Sequence, residues 1–233
     1  MSADLSSDFA QIWGPLWLTI QLAGVTTISL ILIGTPLAWW LARSRLKIKP
    51  VIEAIVALPL VLPPTVLGFY LLIAMGPQGI IGAPWVAISD TTLAFSFSGL
   101  VIASIIYSMP FVIQPLQNAF EAIGNAPLET AWSLGARPLD TFFSIVVPLA
   151  SRGYLTAAVL GFAHTLGEFG VVLMVGGNIP GETRVISIAI YDHVETLEYS
   201  LAHQMSALLL LFSFAVLLIV YGTNRHRQKS LLR

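Results

Sequence analysis

The residues from Trp17 to Trp40 include no charged side chain and form one continuous apolar segment. A helix needs about 20 such residues to cross a hydrocarbon core that is about 30 Å thick. Within lipid, the backbone N–H and C=O groups must be paired by the protein itself, which favours a helix. Trp13 at one end and Trp39 at the other suit the two membrane–water interfaces. The segment therefore predicts a transmembrane helix.

The composition of the whole chain is that of a membrane protein. Hydrophobic residues make up 56% of the 233 residues and charged residues only 10%, against about 25% in soluble domains. Residues 76–97 are rich in Gly, Pro and Ser and predict a loop with an interfacial apolar piece. We therefore predict an all-α integral membrane protein with about five transmembrane helices, at about 17–41, 51–75, 99–118, 153–175 and 201–221.

Lysine and arginine residues are concentrated on one side of this five-span arrangement. Cytoplasmic loops of membrane proteins carry an excess of these residues. Ten of the eleven lie on the side that contains the first loop, the loop before the fourth span and the C-terminal tail, namely Arg43, Arg45, Lys47, Lys49, Arg137, Arg152, Arg225, Arg227, Lys229 and Arg233. Arg184 alone lies on the opposite side. We therefore predict an extracytoplasmic N-terminal segment at 1–16, a cytoplasmic loop at 119–152 and a cytoplasmic basic tail at 223–233.

The cytoplasmic loop at 119–152 contains signals for two short helices. Asn125 is suited to cap the first helix, and Pro127 fits its first turn. Gly135 can supply the left-handed residue that ends this helix, and Pro138 can begin the second. Helical spacing places three side chains on one face, namely Leu128, Ala131 and Trp132. We predict a compact helix pair that exposes Trp132 at the membrane surface; an ordinary capped loop is the alternative.

The same loop resembles the EAA loop of ABC-importer permeases. That pattern reads Glu-Ala-Ala, three residues, Gly, nine residues and then Ile-x-Leu-Pro. This chain departs from it at Thr130, where Ala is usual, and at Val147, where Leu is usual. Both replacements are small or apolar. The resemblance implies a loop that docks into a groove of a separate ATPase through Glu129, Ala131, Trp132, Gly135, Ile145 and Pro148.

The fourth apolar segment contains Glu168, a carboxylate well inside a predicted span. A charge at the middle of a membrane helix costs about 2.5–3.5 kcal/mol, so we expect this side chain to face a cavity or protein. A continuous helix would place one small and polar stripe along Ala157, Gly161, His164, Thr165 and Glu168. The stripe predicts a translocation pathway or gate. Alternatively, His164 and Glu168 bond each other one turn apart and stabilise the helix bundle.

The second apolar segment is interrupted by prolines in ALPLVLPPTVLGFYLL. Each proline removes a backbone donor, and such backbone is tolerated at membrane depth against protein or a water-filled cavity. A simple kink is the alternative. We predict that the pathway or gate includes His164, Thr165, Gly167, Glu168, Phe169, Gly170, Pro59, Pro63 and Pro64.

In chain order, LPLVLPP, GFYLL, the EAA-type loop, TLGEFGVV and GGNIPGETR resemble the molybdate ABC-importer permease family over about residues 14–222. The resemblance implies a type I ABC-importer (MetI-like) fold, with the N-terminus outside and the C-terminus inside. It also implies a homodimer in the bacterial inner membrane, cytoplasmic ATPase subunits that bind ATP and Mg, and an extracytoplasmic molybdate-binding protein. Sulfate and tungstate permeases are the alternatives within the family, and NIPGETR favours molybdate.

Several function classes lack the sequence features that they require. No GxxxxGK[ST] phosphate loop is present, so this chain does not hydrolyse ATP by that route. One His and one carboxylate are too few ligands to predict a metal site, and no basic face with interleaved aromatics predicts nucleic-acid binding. We therefore predict a transport subunit in lipid, without catalytic residues or a cofactor of its own. A stand-alone channel or carrier, or a membrane-embedded enzyme using His164 and Glu168, are the alternatives.

Overall fold

The computed structural model describes the backbone of residues 2–230 and the side chains of residues 11–218. Every regular element in these residues is helical, which confirms the predicted fold class. The elements are α1 (Ser2–Arg43), α2 (Lys49–Val61), α3 (Pro64–Met75), α4 (Gly82–Ser89), α5 (Phe97–Ile123), α6 (Ala126–Ser133), α7 (Pro138–Thr141), a π-helical turn (Phe142–Val146), α8 (Val147–Leu149), α9 (Ser151–Leu166), α10 (Gly170–Gly176), α11 (Ile186–Glu195) and α12 (Tyr199–Ser230).

The described residues contain three helices that are long and apolar enough to cross a membrane, Gln11–Arg43, Phe97–Ile123 and Tyr199–Leu218. Two bent helix pairs pass the same test, Lys49–Val61 with Pro64–Met75 and Pro138–Leu149 with Ser151–Leu166. If each bent pair is one span, the chain has up to five. The second pair begins inside the segment that the sequence predicted as a cytoplasmic loop, because its residues from Pro138 onward are already helical.

The prolines of the second apolar segment produce a sharp bend of 114° between α2 and α3. Leu62 has an extended backbone, with φ −74° and ψ 134°, as expected for a residue that precedes a proline. Pro64 begins α3, and no helical hydrogen bond is lost there because the first N–H groups of a helix have no partner within it. Pro59 lies inside α2 and is buried. The segment is therefore two short rigid helices with a joint at residues 62–63.

The predicted continuous helix across 153–175 is wrong, because α9 ends at Leu166 and α10 begins at Gly170. Glycine weakens a helix, and Gly167 and Gly170 flank the break. The carbonyl of Glu168 accepts a hydrogen bond of 2.7 Å from the hydroxyl of Ser187. Glu168 consequently does not continue the stripe of α9, and the one-turn spacing between it and His164 does not apply.

Two short helices lie in segments that the sequence presented as loops. α4 occupies part of the predicted loop at 76–97, and its eight residues rise about 12 Å, too little to cross a bilayer. α11 lies in the predicted outer loop, where its apolar residues Ile186 and Ala189 form a cluster with Met205 of α12. Because this segment also contains acidic residues, the sequence was interpreted as a loop, and the apolar face of α11 was not predicted.

Residues 23–67 and 101–165 form one compact unit, in which small residues bring α9 close to α5. A Cβ atom at Gly161 would lie 2.5 Å from Val112 Cγ2, and one at Gly153 would lie 2.2 Å from the Cβ of Ala119. Ala157, between these glycines, is fully buried. This spacing of small residues every four positions permits close helix contact within a membrane.

The other unit comprises the chain up to Leu22, residues 68–100 and the chain from Leu166 onward. Within it, Gly68 of α3 lies against Met174 of α10, where a Cβ atom would be 2.7 Å from the Met174 Cβ. The backbone N–H of Ile186 donates to the hydroxyl of Thr19 at 2.8 Å, which fixes the start of α11 to α1.

Gly153→Ala should destabilise the unit that contains α5 and α9, since the new methyl group overlaps Ala119. Overpacking of this kind costs about 1–3 kcal/mol. Gly24→Ala in α1 is the matched control, because a Cβ there has no described atom within 4 Å. Both variants gain the same helix propensity, about 1 kcal/mol. The free energy of unfolding in mixed micelles should therefore be lower for Gly153→Ala, and equal values would contradict the close packing.

Candidate functional site

The segment α6 follows α5 directly and ends as the sequence predicted. Pro127 lies in its first turn, and Gly135 follows its end with a φ of +84°. The N–H of Ala136 donates to the carbonyl of Ala131 at 3.0 Å, and that of Gly135 donates to Trp132 at 3.0 Å. These two bonds form a Schellman motif, which satisfies carbonyls at the end of a helix and requires a left-handed residue.

The prediction that Asn125 caps α6 is wrong. Asn125 occupies the position before the helix, but its side chain makes no capping bond. Its amide oxygen instead accepts a hydrogen bond of 2.6 Å from Nη1 of Arg43, at the end of α1. The side chain is therefore used to join two elements that lie far apart in the sequence.

Arg43 also holds the C-terminal end of α5. Its Nη2 donates to the carbonyl of Gly124 at 2.8 Å and to that of Phe120 at 3.4 Å. The guanidinium lies 4.8 Å from the ring centre of Trp39. The last carbonyls of a helix lack partners within it and carry partial negative charge, so a cation stabilises them. We call this set of contacts, between Arg43 and Phe120, Gly124 and Asn125, the Arg43 clamp.

A second polar cluster joins α2 to α5 beside the clamp. Lys49 forms ion pairs of 3.5 Å with Glu53 and 3.4 Å with Glu121. The amide nitrogen of Gln117 donates to Glu53 at 2.8 Å and to Glu121 at 3.1 Å. The sequence offered Arg43 and Lys49 only as topology signals. Helical periodicity can find Glu53, one turn after Lys49, but not the other partners, because these lie more than a whole helix away along the chain.

The residues of the EAA-type loop are divided between its surface and its interior. Leu128 and Ala131 are buried, whereas Trp132 is 51% exposed and Leu134 is 84% exposed. Leu128, Ala131 and Trp132 have the predicted helical spacing along α6, and only the first two side chains are buried. Trp132 is exposed, as predicted. Of the remaining motif residues, Ile145 is half-buried, and three are exposed, namely Glu129, Gly135 and Pro148.

Within its unit, His164 belongs to a polar and aromatic cluster between α9 and α5. Its Nδ1 lies 2.9 Å from the hydroxyl of Ser108, which lies 3.0 Å from the hydroxyl of Thr165. The imidazole stacks on Phe111 with ring centres 3.9 Å apart. Ser108 and Thr165 are buried. These contacts give His164 and Thr165 a role in helix packing, and their role in a pathway stays a prediction.

The residues at the break between α9 and α10 belong to the other unit. Glu168 is buried, with 4% of its surface exposed, so the expectation that it faces protein or a cavity fits its surroundings. Phe169 packs near Tyr191 with ring centres 5.1 Å apart. Gly167 is exposed, and Pro63 of the α2–α3 joint is exposed as well. The pathway or gate role predicted for these residues is not tested by this geometry.

The described helices have the fold of known ABC importers. A solved bacterial ABC transporter involved in the import of the acidic polysaccharide alginate has this fold, with a TM-score of 0.73 at 18% identity over 94% of this chain and 79% of that chain. The inward-facing MetNI methionine ABC transporter also shares it, with a TM-score of 0.70 at 17% identity over 92% of this chain and 95% of that one.

The family is established by sequence. The model of the binding-protein-dependent transport system inner membrane component family matches residues 34–229. The molybdenum transport system permease protein ModB of Azotobacter vinelandii is 60% identical over 210 residues, which cover 90% of this chain and 93% of that protein. A sulfate transport system permease protein CysT from Synechocystis is 33% identical over 80% of this chain and 65% of its own length. The chain belongs to this family of transport-system membrane components.

Arg43→Gln should loosen α6, because the charged bonds to Gly124 and Phe120 are lost. Hydrogen bonds to charged groups contribute about 1.5–3 kcal/mol each. Arg45→Gln is the matched control, since Arg45 is exposed and lies two residues further along the basic loop. Amide hydrogen exchange in residues 126–133 should be at least tenfold faster in Arg43→Gln than in Arg45→Gln. The same exchange rate in both variants would show that the clamp does not hold α6.

Proposed function

We propose that this chain is the transmembrane permease of a bacterial importer that carries molybdate across the cytoplasmic membrane, driven by ATP hydrolysis on separate subunits. The 60% identity to a molybdenum permease, over nearly the whole of both proteins, is the observation that carries the choice of substrate. The 33% identity to a sulfate permease makes sulfate the weaker candidate. Tungstate has the same charge as molybdate and a similar shape, and it remains the alternative within the family.

The ATPase subunit docks on α6 in this proposal. An isolated helix shorter than about 12–15 residues is marginal in water, and α6 has only eight residues. Its inward residues Leu128 and Ala131 and the Arg43 clamp hold it in place. Its outward residues Trp132 and Leu134 remain exposed. A large aromatic side chain that is exposed on a rigidly held helix is typical of the anchor residues in protein–protein interfaces.

Two copies of the chain and an external binding protein complete the proposed assembly. One chain offers few polar side chains within its spans to surround a hydrated anion, whereas two copies about a shared axis can line a path between them. The loop before α11 is suited to receive the binding protein because it is rigid. There, Arg184 bonds Asn178 at 2.5 Å and pairs with Asp192 at 3.5 Å, and Thr183 bonds the carbonyl of Gly176 at 2.7 Å.

We place the gate at the break between α9 and α10. Non-helical backbone at membrane depth is tolerated against protein or a water-filled cavity, and the break interrupts an apolar segment of span length. Glu168 at this break would repel an oxyanion if it carried its charge into the path. In our proposal it therefore acts beside the path, within the gate, where its buried surroundings keep it from the cargo.

Uptake of radiolabelled molybdate tests the proposed function. The chain, reconstituted in liposomes with the ATPase that copurifies with it and with the binding protein, should import molybdate only when ATP is supplied. Unlabelled molybdate should compete at a concentration at least tenfold below that of sulfate. Uptake without ATP would favour a stand-alone channel or carrier. Equal competition by sulfate would reject the choice of molybdate.

Gly135→Pro should abolish ATP-driven uptake while the chain still enters the membrane. The φ of Gly135 is +84°, which proline cannot adopt because its ring fixes φ near −65°. The end of α6 must then rearrange, and we expect at least a tenfold loss of transport. Gly135→Asn is the matched control, since asparagine tolerates the left-handed region. Normal uptake by Gly135→Pro would reject the coupling role of this loop.

A further inference from the structure

A groove of about 840 Å³ runs beside the C-terminal part of α1. Residues of α1 from Ile31 to Arg43 line one wall, a length of about 18 Å along the helix axis. Trp132, Phe143 and Val147, from α6 to α8, contribute to the opposite wall. All of these residues belong to the same compact unit. The groove therefore lies between the first span and the segment proposed to receive the ATPase.

The chemistry of the groove is that of a receptor for an amphiphile with a negative head. Arg43 is the single charged residue in its lining, and it lies at one end. The other end is bordered by aliphatic side chains such as Ile31 and Leu32. The clamp partners of Arg43 are the neutral oxygens of Phe120, Gly124 and Asn125, so these contacts leave its positive charge unneutralised at this end of the groove.

We propose that an anionic phospholipid occupies this groove, with its acyl chain along α1 and its phosphate at Arg43. Leu32 is 70% exposed on a helix that is long and apolar enough to cross a membrane, so lipid acyl chains can reach the groove at this residue. A cation at the end of a membrane helix attracts anionic headgroups, and basic pockets between helices on the cytoplasmic side bind such lipids. The apolar wall along α1 matches an acyl chain in shape, and Arg43 at its end matches the phosphate in charge.

The bound lipid would contact both α1 and the α6–α8 segment and would give Arg43 an anionic partner. Charge-assisted bonds between arginine and phosphate are strong and directional. The lipid thereby stiffens the joint between the first span and the coupling segment. This binding site requires neither molybdate nor the ATPase, so it can be tested even if the proposed function fails.

Native mass spectrometry of the purified full-length chain, with any subunits that copurify, tests the site. The probes are phosphatidylglycerol and phosphatidylcholine with identical acyl chains. Leu32→Trp fills the groove, and Ile28→Trp is the matched control, one turn earlier on α1, 63% exposed and outside the groove lining. We expect one phosphatidylglycerol per chain in the wild type and in Ile28→Trp, about fivefold preferred over phosphatidylcholine, which corresponds to about 1 kcal/mol for one cation. Leu32→Trp should lower this occupancy at least fivefold.

Equal retention of phosphatidylglycerol by both variants, or equal affinity for the two lipids, would overturn the proposal. A photoreactive amino acid in place of Leu32 gives a second measurement that does not require the groove to be filled. A cross-link to phospholipid would support the proposal. A cross-link to a second copy of the chain or to an ATPase polypeptide would show that protein covers the groove, and would reject the lipid as its occupant.

Discussion

The bonds of Arg43 join the ends of three elements that also share one apolar cluster. Its guanidinium donates to the carbonyl of Gly124 at 2.8 Å and to the amide oxygen of Asn125 at 2.6 Å, so the ends of α1 and α5 and the start of α6 meet at one cation. A helix as short as α6 gains little from its own hydrogen bonds. Its position therefore depends on this cation and on the buried residues Leu128 and Ala131. In the proposed transport cycle, a force applied to α6 reaches the membrane helices through this joint.

Two kinds of feature recur elsewhere in the structure, namely tightly packed helix pairs and interruptions between consecutive helices. Gly153 and Gly161 bring α9 against α5 without space for a side chain, so these two helices move together. Among the described residues, no backbone hydrogen bond crosses the joint at residues 62–63 or the interruption at 167–169 to link one helix to the next. Packed cores change between discrete arrangements rather than deform continuously. In the proposed transport cycle, rotation therefore takes place at the breaks, and the packed helix pairs move as units.

The apolar segments, the helix signals and the spacing of the EAA-type loop were sufficient to predict the all-α membrane fold and the exposure of Trp132. These features depend on local chemistry, because Pro138 and Gly135 set the backbone conformation at their own positions. Prediction failed where a distant partner decides the outcome. The side chain of Asn125 binds Arg43 instead of capping α6, and the carbonyl of Glu168 accepts its bond from Ser187 rather than from the next helical turn. Hydropathy alone did not reveal that two glycines would interrupt the fourth apolar segment.

The most direct test of the central claim is whether α1 and α6 move as one body. Because the chain has no cysteine, Ile33→Cys and Ser133→Cys introduce the only two spin-label sites, and dilution with unlabelled copies isolates the pair within one chain. Double electron–electron resonance should give a narrow distance distribution that is unchanged between the nucleotide-free and ATP-bound transporter. The same pair in Arg43→Gln should show a broad distribution that shifts with ATP. A distance that shifts with ATP in the chain that retains Arg43 would contradict the account.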